Sequence, residues 1–393
     1  MPRSWGVVLL VALAFWALFG VFAGRALGNH VACGDVVTQD TTLDSDLIDC
    51  PGDGIVVAAD DVTLDLRGHT VAGPGTGSGI RAVGHHGLTV QHGVIRGFWV
   101  GLDLDSVAAT RTRGLAIRSN GIGLRLVGAG NRIAANEIRD NVTGADLRGA
   151  GNRFVRNVVS ADLFSGPPTF APAPIGVRVV GSSSPEVSGS LVSGYYRSIE
   201  LDRVTGAHVA GNVLTPGEKL AAGAGEPMLG IYAHAGSVNF LRRNVVSGTT
   251  NGIYVSEPGT RIEWNAAVGN RRGMMITREA SDIAIRHNLA ADSLEEGIDT
   301  NALRTLLERN VAARNRSGIV TRGIASGSVL KGNLATSNRI HGIEAGTGTT
   351  VTRNLAYRNG DLGIFGEEGV IDGGGNRAFG NGNPVQCLNV ACR

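Results

Sequence analysis

Six side chains in the middle of this 393-residue chain have the types and spacing to act on one substrate: Arg178, Glu200, Asp202, Tyr232, His234 and Tyr254. Four of them directly follow an aliphatic residue, in the pairs Val177-Arg178, Ile199-Glu200, Ile231-Tyr232 and Ile253-Tyr254. Asp202 and His234 stand two positions further on. Alternate residues of an extended strand share a face, so all six point outward if the aliphatic ones point inward. Arg178 would neutralise a substrate carboxylate and acidify the C–H beside it. His234 or Tyr232 would move the proton, with Asp202 orienting the imidazole. Glu200, Tyr254 and the neighbouring Tyr195 and Tyr196 would line the substrate, the tyrosines stacking on sugar rings. The same parts would also make a non-catalytic glycan groove. Opposite charges on neighbouring strands also serve as plain ion pairs, worth ~0.2–1 kcal/mol each. Residue types alone leave the three readings open.

The elements that must position these residues announce themselves by repetition. Asn244, Asn265, Asn288, Asn310, Asn333, Asn354 and Asn376 recur every 21 to 23 residues, and five of them have a second Asn five residues later. A glycine followed by an apolar residue comes after most of these pairs, as in Gly252-Ile253, Gly297-Ile298 and Gly342-Ile343. Self-similarity at this period marks stacked repeats. The runs between are short, β-branched and alternating, which is a strand period. The sequence therefore predicts an all-β chain: a single-stranded right-handed parallel β-helix whose coils each hold three short strands. Turn asparagines would stack in amide ladders and would themselves take the left-handed conformation of the turn.

Registering the coils on the Gly-apolar strand gives about fourteen, beginning at Ile55, Ile80, Leu102 and so on to Ile364. Just after each inward residue the column reads Arg81, Asp103, Arg125, Asp146, Arg178, Glu200, then Tyr232, Tyr254 and Met275. Two steps are long, 145 to 177 and 199 to 231, so about ten extra residues leave the solenoid before each of those strands. Insertions on one edge of a solenoid build binding faces or are tolerated as surface loops. Here they would wall a groove with residues 161–175 and 215–228.

With 59 glycines, 12 prolines and 18% charged residues, the chain has the profile of many tight turns and few surface helices. A net charge of +2 offers no field for nucleic acid or an anionic membrane surface. His69, His85, His86 and His92 form a second group. No carboxylate or cysteine stands at a spacing that completes a metal set with them, so no metal and no cofactor are expected. Nucleotide-binding, zinc-protease and serine-hydrolase motifs are absent. A monomer is expected.

Residues 1–28 read as a signal peptide or N-terminal membrane anchor, with Arg3 ahead of an apolar run from Gly6 to Ala23. The only contact with a membrane would be through that segment, if uncleaved. Residues 29–54 would form a cap, 55–380 the β-helix and 381–393 a C-terminal cap. Four cysteines lie at the two ends, and in an exported chain locality favours Cys33–Cys50 and Cys387–Cys392. A secreted, periplasmic or cell-surface location follows.

The opening Cys33-Gly34-Asp35, Leu47-Ile48-Asp49-Cys50, Gly54-Ile55-Val56-Val57 and Val62-Thr63-Leu64-Asp65-Leu66-Arg67-Gly68-His69-Thr70-Val71 resembles that of secreted bacterial right-handed β-helix proteins. The later Asn and Gly-Ile coils are similar to the repeats of NosD-type periplasmic proteins and of pectate-lyase-like, carbohydrate-active β-helices. That resemblance implies fold, export and a polysaccharide partner, bound or modified by a lyase or an epimerase. A structural or assembly role of the NosD kind is the alternative. The Asp-Pro-His-Asp motif of mannuronan epimerases is missing; Tyr232-Ala233-His234-Ala235 stands in this chain.

Overall fold

A computed structural model describes residues 30–162, 174–216, 227–323 and 327–393. The expected targeting segment and most of both insertions lie outside these. Residues Val31–Arg393 form one compact unit. Among the described residues every regular element is a β-strand, and every named pairing between strands is parallel.

The strands fall into three ladders. The first, the Gly-Ile face, has sixteen strands in chain order from Asp35–Val37 to Cys387–Leu388. Fourteen of these are the strands read from the repeat. The other two come from the predicted caps, which therefore add a strand to each end of the sheet. The second ladder runs through Arg153–Val155, Phe240–Arg242 and Leu306–Glu308, and the third through Val158–Ser160, Val245–Ser247 and Val311–Ala313. The long steps are confirmed by register, Ala145 pairing with Val177 and Ile199 with Ile231.

The core is a stack of aliphatic columns, one for each ladder. Ile231, Ile253, Met274, Ile298 and Ile319 lie one above another and are fully buried. Each such side chain contributes ~1.5–3 kcal/mol on burial. The glycine before each has a steric cause: a Cβ at Gly252 would sit 2.5 Å from the carbonyl oxygen of Gly273 in the next coil. Only glycine lets the backbones stack there.

Asparagine ladders hold the turns. Asn310 Nδ2 donates to Asn333 Oδ1 at 3.0 Å, and Asn333 Nδ2 to Asn354 Oδ1 at 3.0 Å. Each also donates to a strand carbonyl, as Asn333 does to Leu307 at 2.9 Å. One expectation is corrected. These asparagines do not themselves take positive φ; the preceding residue does, for example Arg309 (54°), Arg353 (54°) and Trp264 (60°). The asparagine turns inward because its amide satisfies backbone groups of adjacent coils, which leaves the exposed residue to carry the strain.

Both disulfides form as expected, Cys33–Cys50 with a Cα–Cα distance of 5.2 Å and Cys387–Cys392 with 6.2 Å.

Candidate functional site

Strand register brings the central residues together as the alternation predicts. Arg178 pairs with Glu200, Glu200 with Tyr232 and Tyr232 with Tyr254, while Asp202 lies beside His234. Tyr232 and His234 stack at 4.2 Å between ring centroids with planes 16° apart, and Tyr254 meets Tyr232 edge-on at 5.3 Å. Their rings are half-buried. Burial raises the phenol pKa values of Tyr232 and Tyr254, so both stay protonated at neutral pH.

Glu200 is the hub. Only 2% exposed, it sits under the side chains that face solvent. Arg197 Nη1 donates to its Oε1 at 2.7 Å, His234 Nε2 lies 3.2 Å from the same oxygen, and Arg178 Nε is 3.5 Å from Oε2. Burial pushes this carboxyl up, but the bond from His234 and the charges of Arg197 and Arg178 outweigh it, so its pKa falls below the ordinary glutamate value. A carboxylate only accepts, so Nε2 of His234 carries the proton. In the neutral ring Nδ1 is then an acceptor.

Two assignments are corrected. Asp202 does not orient His234. It takes the fork of Arg203, with bonds of 3.1 and 3.1 Å, and Arg178 Nη2 at 3.4 Å. The imidazole leans over Tyr232 towards Glu200, because side chains lean along their strand as well as stand on it. Tyr195 and Tyr196 do not line a substrate surface, since each is 1% exposed. The Tyr195 hydroxyl donates to the carbonyl of Asn141 at 3.2 Å, and burial raises its pKa well above the usual phenol value. This ring occupies the turn position that Asn141 holds two coils earlier. The spans proposed as groove walls fall largely on residues 163–173 and 217–226, outside the described residues.

Arg197 belongs to the site although sequence reasoning gave it no role. Its guanidinium lies 5.4 Å from the Tyr232 ring centroid and grips Glu200 three residues on. A second cluster was missed altogether. Arg272 pairs with Glu295 and Glu296, and Arg322 with Glu296 at 2.7 Å and Asp299 at 3.0 Å. Burial raises the pKa of Asp299 despite Arg322. Following the outward column past Met275 to Asp299 and Glu344 would have found it.

The alternating charges pair only in part. Arg125 forks onto Asp103 at 2.7 and 3.1 Å, but Asp146 is held by Arg148 of its own strand, and Arg81 reaches Asp53. The histidines near the N-terminus do have carboxylate neighbours, which the sequence reading did not pair with them. His69 meets Asp46, His85 and His86 meet Asp60, and His92 meets Asp65. Asp60 is shared by His85 and His86, and among the described residues no group of three such side chains could hold a metal ion.

Comparison with known proteins agrees with this architecture. Residues 229–390 match the family model for a right handed beta helix region. The described coils before residue 229 are built the same way, so the fold is a right-handed parallel β-helix. Among solved structures, alginate lyase AlyF-OU02 is similar over 93% of this chain and 84% of its own, at 12% identity and a TM-score of 0.51. The Dettilon tailspike protein matches over 90% of this chain and 61% of its own, at 16% identity and a TM-score of 0.42. The periplasmic alginate epimerase AlgG matches over 91% and 78%, at 13% identity and a TM-score of 0.35. The chain thus spans less than two thirds of the tailspike's length. No curated protein matches the sequence.

Proposed function

We propose that this protein is exported and binds an extended acidic polysaccharide along the Gly-Ile face, centred on Tyr232, His234 and Tyr254. The observation that carries this reading is the stacked, half-buried Tyr232–His234 pair with Tyr254 edge-on, beside three guanidiniums. Partly exposed aromatic side chains suit sugar rings. Arg178, Arg197 and Arg203 bring three positive charges against two negative ones from Glu200 and Asp202, which leaves +1 for a uronate carboxylate. Export is supported by the two disulfides. The similarity to an alginate lyase supports an acidic glycan as the first to try.

One observation favours chemistry at the same place. The Glu200–His234 dyad fixes the imidazole with Nδ1 available as a base, and Tyr232 is a protonated neighbour at van der Waals range. A lyase or epimerase step needs those groups beside a neutralised carboxylate.

A glycan array followed by calorimetry on alginate, pectate and a neutral glucan tests binding. Tyr232→Ala should weaken affinity for the acidic polymer at least ~10-fold, the scale of a lost aromatic contact with its packing. If the site is catalytic, unsaturated or epimerised product should form, and His234→Ala should cost at least ~100-fold in rate. Wild-type affinity in both variants, with the fold intact, would leave a scaffold or assembly role.

A further inference from the structure

The third ladder has an outer surface unlike the other two. From Val158–Ser160 to Leu355–Tyr357 it comprises nine strands, and none contains a charged residue. Over the same coils the second ladder carries an ion-pair chain of Arg242, Glu263, Arg286, Glu308 and Lys331. The first residue of each strand in the third ladder is aliphatic and points outward. Leu191, Val213 and Val245 are 41%, 42% and 44% exposed, and register lines them up with Val158 above and with Leu289 two coils below Val245. Two residues on, the outward position is mostly small: Ser193, Thr215, Ser247, Ala291 and Ala313. A ridge of Val and Leu therefore runs beside a trough of Ser, Thr and Ala.

Parallel sheets are ordinarily covered on both faces, and a contiguous uncharged apolar stripe marks an interaction surface. We propose that the cover is a second copy of this chain, packed face to face about a two-fold axis parallel to the stacking direction. That operation exchanges the two columns, so the ridge of one copy lies over the trough of the other. Each coil meets its own equivalent, with Val213 opposite Thr215 of the second copy. The repeat supplies this complementarity in most coils, because the nine strands share one spacing; Ala266 and Val268 invert it and Tyr357 interrupts it. The area is sufficient. Eight steps of ~4.8 Å by a width of roughly 15 Å give about 600 Å² per copy, near the ~1,200 Å² total at which specific interfaces begin. A weak, concentration-dependent dimer follows, in place of the monomer expected from sequence. The stripe belongs to a different ladder from the Gly-Ile face, so Tyr232, His234 and Tyr254 are not part of the proposed interface.

Sedimentation velocity of the full chain over a wide concentration range is the test. The wild type should show a monomer–dimer equilibrium. Val213→Asp and Thr215→Lys should each weaken it by at least ~10-fold, because symmetry puts two unpartnered charges in one interface. The double variant should recover dimerisation, as each introduced carboxylate would face an introduced ammonium across the axis. Leu289→Lys, in another coil, guards against a local folding defect, and circular dichroism checks each variant. A wild type that stays monomeric, or a dimer indifferent to all these changes, overturns the proposal. So does flotation of the monomer with phosphatidylglycerol vesicles that Val213→Asp abolishes, which would assign the stripe to a membrane.

Discussion

Replacing Asn333 by alanine should cost this fold about 2–4 kcal/mol. The side chain is 1% exposed and makes four hydrogen bonds. Its Nδ2 donates to the Leu307 carbonyl at 2.9 Å and to Asn354 Oδ1 at 3.0 Å; its Oδ1 accepts from the Asn310 backbone N–H at 2.9 Å and from Asn310 Nδ2 at 3.0 Å. Three of the four partners keep another bond. Asn310 Nδ2 still reaches the Ile285 carbonyl, Asn354 Oδ1 still accepts the Asn333 backbone N–H, and the Leu307 carbonyl stays in the strand ladder that pairs Leu307 with Leu330. The Asn310 N–H loses its partner in a dry interior, at ~1–3 kcal/mol. A small cavity adds to this. Serine should recover part of the loss, because Ser190 already stands in the same ladder, accepting from the Asn157 N–H at 3.2 Å. The measurement is denaturant unfolding with hydrogen exchange at the Asn310 amide, since a solenoid can open locally. A loss below ~0.5 kcal/mol for Asn333→Ala, with no faster exchange at Asn310, would refute the view that the asparagines hold the coils together.

Three further outcomes follow from the geometry. Because the folded pKa of Glu200 is depressed, its pairing stabilises the protein above the unfolded glutamate value of ~4.3 and is lost as pH falls through the lower folded value; Glu200→Gln should flatten the acid limb of a urea-midpoint profile, and an unchanged slope would count against the hub. Tyr195→Phe should lower stability by about 1 kcal/mol through its bond to Asn141 while leaving glycan affinity untouched; a loss of affinity at full stability would return Tyr195 to the binding surface. Replacing Cys33 and Cys50 together by serine should cost about 2–4 kcal/mol, as the bridge closes a loop with a sequence separation of 17; denaturation unaffected by the change would show that the cap unfolds apart from the coils.

Much of this molecule was legible without coordinates, and the reason is periodicity. A parallel solenoid repeats one local rule, so the Gly-Ile step, the asparagine interval and the strand alternation each report on the same register. That register correctly put Arg178, Glu200 and Tyr232 in one column and Asp202 beside His234. Even the two long steps were visible as interruptions of a regular count. The cysteine pairs were open to the same reasoning, since short separations at two chain ends left little choice.

Tertiary structure alone decided what the side chains do once they share a face. Parity says that a residue points outward, but it says nothing of what lies over it. Glu200 and Asp103 point outward and are still buried, because arginine side chains close over them. Asp202 neighbours His234 along the ladder, yet the imidazole goes to Glu200, because stacking on Tyr232 sets its lean. Tyr195 and Tyr196 stand at a turn where other coils carry an asparagine, and only the stacked coils show that the core takes both rings. Main-chain register is a property of local sequence repeated many times. Side-chain pairing is a competition among several partners within a few ångströms, and it is settled only when the coils are stacked.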